Sequence, residues 1–302
     1  MITLFGTKID NKHLKPYFCA FKRFIQVLKS GDTAYRCIGE GLPLVILHGL
    51  YGCGDNWMGI ARKLAETWCV WMPDARNHGG SAFKNTHTYN DMSEDVLSFI
   101  RDNSINRPVL LGHSMGGKTA LHFAARYGDM ISGLVVADIA PVSYSLLSDY
   151  SQGIIDHLNI MEALYGLELS DSLSRQDIDA SLKPVIPDSM LRGFLLKNLC
   201  RSKDNGRWEW KINLKILRSF LPEILNGMDN FMPENISVSL PVLFLKGGKS
   251  GYIGVSEADY IIKNMPNAKI KTCPDAGHWI HADNPEWVVE AITNYGLRID
   301  CK

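Results

Sequence analysis

The stretch Gly112-His113-Ser114-Met115-Gly116-Gly117 follows the apolar run Val109-Leu110-Leu111 and precedes a helix-forming segment, 118–127, that Gly128 stops. G-x-S-x-G between a buried strand and a helix is a nucleophile elbow. So tight a turn admits only small neighbours. In return it stands the Ser114 hydroxyl at a helix N-terminus, where backbone N–H groups face any negative charge that develops. The chemistry this serves is attack of a hydroxyl on a carbonyl carbon.

A serine hydroxyl needs a base to take its proton, and the base needs an orienting acid. Two histidines, His278 and His281, stand in a late loop, 275–281. His278, directly after Gly277, is the expected base, and His281 is expected to help dock the last helix. His113 is expected to point away from the neighbouring hydroxyl, and His48 to serve as a structural hydrogen-bonder. For the acid, the strand 241–245 runs into Lys246-Gly247-Gly248-Lys249-Ser250-Gly251-Tyr252, which holds no carboxylate. Asp138 ends the strand expected beside the elbow strand, and it is assigned as the acid. Glu257 and Asp259, on the next expected helix, are the alternatives.

The oxyanion of a tetrahedral intermediate needs N–H donors. Met115, directly after the serine, supplies one, and Leu50, after His48-Gly49, the other. Gly49, Gly52 and Gly54 let that loop approach a substrate. No G-x-G-x-x-G or Walker spacing marks a phosphate loop. No pair of histidines has metal-ligand spacing beside a carboxylate helix. Neither metal nor cofactor is therefore expected.

These groups need a scaffold that brings strand ends together. Strands are expected over 24–40 (two, joined at Ser30-Gly31-Asp32), 42–47, 68–72, 109–111, 131–137, 241–245 and 268–273. Helices are expected over 55–67, from Ser93-Glu94 onward, over 118–127 and 256–264, and over 285–297. Alternation of this kind makes a parallel sheet with helices on its faces. It breaks between about 141 and 235. There helical stretches at 146–166, 177–182, 189–200 and 214–225 read as an inserted cap. The domain reading is a terminal extension over 1–23, a core over 24–140 and 236–302, and a helical cap over 141–235. Trp57, Phe194, Leu195, Trp208 and Trp210, with Phe220, are the expected walls of a substrate pocket beneath the cap. Lys118, Arg76 and Arg201 are candidates to meet phosphates of a nucleotide-bearing thioester.

The formal net charge is zero over 302 residues, so no basic surface speaks for nucleic acid. No apolar stretch is long enough for a membrane span. The seven cysteines are unpatterned, which fits reduced thiols and a cytoplasmic location. Residues 1–23 carry Lys8, Lys12, Lys15, Lys22 and Arg23 against Asp10. A presequence for the mitochondrial matrix is the alternative reading of that stretch.

The segments 47–57, 74–81, 112–121, 138–142, 194–199, 207–214, 244–252 and 276–285 together resemble the α/β-hydrolase superfamily. Within it, they are similar to small bacterial esterases and acyl-CoA thioesterases related to the mammalian abhydrolase-domain-11 esterases. GHSMGG is common across the superfamily; RNHG, DIAPV and GGxSxY are more selective. Gly80 is a departure, at the position between RNHG and Ser81 where relatives usually carry a small or apolar residue. The resemblance implies an α/β-hydrolase fold with its cap after the strand that follows the elbow helix. It implies a cofactor-free serine hydrolase that cleaves esters or acyl thioesters through an acyl-enzyme on Ser114. It also implies the acid at Asp138, with Ser250 joining the Ser-His-Asp network. The expected partner is a small-molecule substrate, and the expected state a monomer or homodimer. A C–C bond hydrolase, a cofactor-free haloperoxidase and a non-catalytic ligand receptor share this elbow and are the competing readings.

Overall fold

The computed structural model describes residues 2–4, 7–9, 27–144, 151–228 and 231–300. The expected terminal extension, apart from a ribbon of β1 (Ile2–Leu4) and β2 (Thr7–Ile9), lies outside them. Eight strands form one sheet. In chain order they are β3 (Leu28–Ser30), β4 (Thr33–Ile38), β5 (Leu42–Leu47), β6 (Trp68–Pro73), β7 (Val109–His113), β8 (Gly133–Ala137), β11 (Val242–Gly247) and β12 (Ala268–Cys273). Between β8 and β11 lies a separate ribbon of β9 (Leu199–Arg201) and β10 (Trp208–Trp210). The spatial order is β12-β11-β8-β7-β5-β6-β4-β3. Pairing is parallel except where β4 meets β6 and β3 meets β4.

The central strands are apolar throughout because both faces are covered. Val45, Leu47, Leu110, Val136 and Phe244 face α2 (Tyr89–Asp102) and α3 (Met115–Tyr127) in one core. Their neighbours Leu44, Ile46, Leu111, Val135 and Leu245 face α1 (Met58–Leu64) and α11 (Pro285–Asp300) in the other. The period of two along each strand thus divides its side chains between two layers of helices.

Helix α2 begins four residues before the expected Ser93. Thr88 caps it, accepting from the Asp91 N–H while its own hydroxyl donates to the Asp91 carboxylate. Such a reciprocal cap fixes a helix start more firmly than the apolar stripe does.

Between β8 and β11 stand α4 (Ser151–Tyr165), α5 (Arg175–Leu182), α6 (Ser189–Leu196), α7 (Leu214–Ser219) and α8 (Leu221–Asn226). They bury Met161, Leu164, Ile178, Leu195 and Leu217 in a third core that also takes in Leu50, Tyr89 and Met115 of the sheet domain. The first residues of the expected helix at 146 lie outside the described residues. Two cap expectations need correction. The helix over 189–200 stops at Leu196, and the chain then enters the β9–β10 ribbon. The helix over 214–225 divides at Phe220, where Pro222 opens α8.

Candidate active site

The sheet order reverses between β5 and β7. In a parallel sheet the loops leaving adjacent strands there diverge and open a crevice at the carboxyl ends. The loop after β5 and the turn after β7 meet at this crevice, and the ends of β8, β11 and β12 reach the same edge.

Ser114 sits in the turn at φ 53° and ψ −120°, a region costly for any residue with a side chain. Packing enforces it. A Cβ on Gly112 would lie 2.1 Å from the Gly116 carbonyl oxygen, and one on Gly116 would lie 2.3 Å from that of Leu47. Only glycine at both positions lets β5, β7 and α3 close so tightly.

Asp138 directly follows β8 at φ 50° and is wholly buried. Its Oδ1 accepts from the Gly247 N–H at 2.7 Å, and its Oδ2 lies 2.9 Å from His278 Nδ1 and also accepts from the Ser250 hydroxyl. A buried carboxylate is stable when its lone pairs are met this way. The ring of Tyr252 stacks on that of His278 at 3.9 Å. The other candidate acids are elsewhere. Glu257 accepts from the Gly254 N–H and the Ser256 hydroxyl at the start of α9 (Val255–Asn264). Asp259 lies further along the same helix.

Ser114, His278, Trp279 and Tyr252 line a cavity of about 190 Å³ between the sheet edge and α4 and α6. The loop after β5, with Leu50 and Tyr51, forms another side. A narrower recess of about 20 Å³ leads off beside Ser114, with Leu50 and Met115 on its wall. Met115 is the first residue of α3, so its N–H has no partner within the helix.

Of the expected pocket walls, Trp57 and Phe194 line the cavity. Leu195, Trp208 and Trp210 are not among its lining residues. Leu195 is fully buried in the cap core. Trp208 and Trp210, two residues apart on β10, turn one face toward that same core, with Phe220 packed there as well. Trp208 also donates from Nε1 to the Leu173 carbonyl and lies under the Arg201 guanidinium. The three cations are likewise engaged. Lys118 is buried and donates to the Leu225 carbonyl at 2.7 Å. Arg76 pairs with Asp95 and Asp91.

Sequence reasoning missed Tyr51, His157, Ile160, Leu191, Tyr252 and Trp279 as lining residues. Tyr252 stands in the GGxSxY motif, and Tyr51 and Trp279 in the segments 47–57 and 276–285; those were the available signals. His281 is more than a helix dock. It stacks on Trp57 at 4.5 Å and lines the cavity. Burial, then the neighbouring His278 and Lys197, lower its pKa to about 3. His48 is a structural bonder: Nε2 accepts from the Ala75 N–H and Nδ1 donates to the Gly49 carbonyl, each at 2.9 Å. Gly80 is held locally, its N–H donating to Asp74, which also holds Arg36 and the Gly54 N–H. Among the described residues no group of three or more His, Cys, Asp or Glu is arranged to hold a metal ion. Among them, too, no helix is long and apolar enough to cross a membrane.

The family model for the alpha/beta hydrolase fold matches residues 43–176. The chain is 34% identical over 292 residues to the sn-1-specific diacylglycerol lipase ABHD11 of Mus musculus, covering 95% of this chain and 87% of the relative. It is 32% identical over 254 residues to the esterase YbfF of Escherichia coli, covering 84% and 92%. A solved marine microorganism esterase superposes with a TM-score of 0.81 at 38% identity, over 88% of this chain and 99% of that one. With relatives alike over most of both chains, and with the sheet order and elbow described above, the chain belongs to the α/β-hydrolase fold family and is a carboxylesterase-type hydrolase.

Proposed function

We propose that this hydrolase cleaves small-molecule esters and acyl thioesters through an acyl-enzyme on Ser114. The observation that carries the reading is the Asp138–His278 pair at 2.9 Å, on the cavity that Ser114 also lines. Ser114 Oγ attacks the carbonyl carbon while His278 Nε2 takes its proton. Asp138 holds Nδ1–H, which fixes the tautomer and stabilises the imidazolium; Ser250 and the Gly247 N–H hold Asp138 in orientation. The oxyanion is met by the N–H groups of Leu50 and Met115. Collapse breaks the bond to the alcohol or thiol, which leaves with the proton from His278. Water, activated by the same imidazole, then frees the acid and restores the serine.

Trp57, Phe194, Leu191 and Ile160 give the acyl chain an apolar wall. The named activities of the relatives, esterase and diacylglycerol lipase, support ester cleavage. Thioester cleavage rests on the same acyl chemistry. A cytoplasmic placement belongs to the same proposal and rests on unpatterned cysteines; Cys37, Cys53, Cys69, Cys200 and Cys273 are free thiols.

A fluorophosphonate probe tests the nucleophile. It should label the wild type and miss Ser114→Ala; full labelling of the mutant would sink the assignment. p-Nitrophenyl esters of increasing chain length, run beside acyl-CoAs, separate ester from thioester preference.

A further inference from the structure

Seven side-chain polar atoms among the described residues are buried without a hydrogen-bond partner. Four of them belong to residues that line the larger cavity beside Ser114: Tyr51 Oη, Trp57 Nε1, His157 Nδ1 and His281 Nδ1. Unmet buried polar atoms are costly and rare in native proteins. Their concentration on one cavity wall points to groups kept for a ligand.

Tyr51 and His157 form the more instructive pair. Their rings lie 6.2 Å apart, one on the loop after β5 and the other on cap helix α4. Tyr51 holds φ 62°, a strained value for a bulky residue. Its carbonyl accepts from the Asn198 side-chain amide at 2.7 Å, so this strained backbone is held from the helices over the sheet edge. His157 Nε2 lies 3.0 Å from the Tyr252 hydroxyl. Burial lowers the His157 pKa to about 4, so the ring is neutral at neutral pH. The Nε2–Tyr252 hydrogen bond leaves Nδ1 as the ring's unpartnered polar atom. The Tyr51 hydroxyl can donate, and His157 Nδ1 is a second unpartnered polar atom near it, so the pair suits a polar oxygen of a substrate.

We propose that Tyr51 and His157 form a polar subsite for a substrate oxygen other than the scissile carbonyl. Such an oxygen is an ether, a hydroxyl or a second ester carbonyl, carried on either the acyl or the alcohol arm. The proposal rests on the hydrolase reading for the placement of the scissile group. It adds that the preferred substrate is not a plain alkyl ester.

The test uses isosteres in which one methylene of a p-nitrophenyl hexanoate chain, or of a hexyl ester's alcohol arm, is replaced by an ether oxygen at successive positions. Equilibrium binding to Ser114→Ala protein reads the subsite without turnover, and kcat/KM of the wild type reads it with turnover. At one position on one arm the oxygen isostere should bind, and react, about ten-fold better than its hydrocarbon parent, as one added hydrogen bond would give. The arm that responds identifies the source of the oxygen. Tyr51→Phe and His157→Phe should each bring that ratio toward one, whatever they do to absolute rates. A hydrocarbon preference at every position on both arms would overturn the subsite, as would an oxygen preference untouched by both substitutions. Oxygen-selective binding without turnover of any ester would uphold the subsite and overturn the hydrolase mechanism instead.

Discussion

His113 donates from Nε2 to the backbone carbonyl of His278 across 2.9 Å. One residue before Ser114 therefore anchors the loop that carries the proposed base. Burial, reinforced by His278 and His281, holds the His113 pKa well below the usual histidine range. The ring is neutral, and the carbonyl fixes its proton on Nε2. The strand that bears the elbow and the loop that bears the imidazole are thereby locked in one register.

His113→Phe should preserve the fold and lower kcat by about 10²-fold, since a shift of about 1 Å in a reacting group has that effect. KM for short esters should change little. Steady-state kinetics with a parallel thermal melt checks this. An unchanged kcat in a folded mutant would show that the His278 loop positions itself.

Asp138 and Ser250 should differ in weight. Asp138→Asn removes the charge that stabilises the imidazolium and reverses the preferred tautomer, and should lower kcat by roughly 10⁴-fold. Ser250→Ala removes one donor to a carboxylate that still has the Gly247 N–H and His278. Its cost should be roughly ten-fold, about 1.4 kcal/mol. Near-wild-type turnover in Asp138→Asn with a dead Glu257→Gln would move the acid to α9, against the contacts that Glu257 makes there.

The sheet was legible because each of its central strands is a short apolar run bounded by glycine or proline, as in Leu42–Leu47 and Val109–His113. The elbow was legible because only glycine fits at 112 and 116, which leaves a local signature. The helices between β8 and β11 were legible only as a break in alternation. The cavity walls come from residues such as Tyr51, His157 and Trp279, far apart in sequence, whose role depends on how α4 and α6 lie over the sheet edge. Trp208 and Trp210 show the converse. Large aromatic residues advertise burial, but nothing local tells a cap core from a cavity wall. The start of α2 was misread because Thr88 and Asp91 act as a pair, and a scan for apolar spacing passes over them.

Buried histidines should make stability fall steeply in mild acid. Burial lowers the pKa of His87 and His281 to about 3 and of His157 to about 4. The unfolded chain takes up these protons near the ordinary histidine value of about 6.5, while the folded state does not. Between about pH 6.5 and pH 4 the unfolded state therefore binds more protons. The stability these groups contribute is complete above about pH 6.5 and is lost as pH falls through that window. Each adds up to about 1.4 kcal/mol per pH unit to the slope. Urea unfolding at pH 7.5, 6.0 and 5.0 should show the decline, and His87→Gln should make it shallower. Identical slopes for mutant and wild type would mean that His87 is protonated in the folded state.

Lys118 should prove a clasp for the cap rather than a contact for a substrate phosphate. It lies four residues beyond Ser114 on α3, buried, with its ammonium 5.0 Å from the centre of the Tyr144 ring. It donates to the Leu225 carbonyl near the C-terminus of α8, where a cation is favoured. Tyr89 donates to the Ile224 carbonyl and His122 to that of Gly227, so α2 and α3 together grip the end of the cap. Lys118→Met keeps the length of the side chain and removes the charge, leaving one of those carbonyls without its charged donor. The loss should be about 1.5–3 kcal/mol, a drop in Tm of roughly 3–12 °C at 2–4 °C per kcal/mol. A phosphate contact would behave differently, raising KM for acyl-CoAs while sparing p-nitrophenyl esters. The ratio of kcat/KM for the two substrate types should therefore stay constant in Lys118→Met while Tm falls. A selective loss toward acyl-CoA at unchanged Tm would place Lys118 against the substrate and remove it from the clasp.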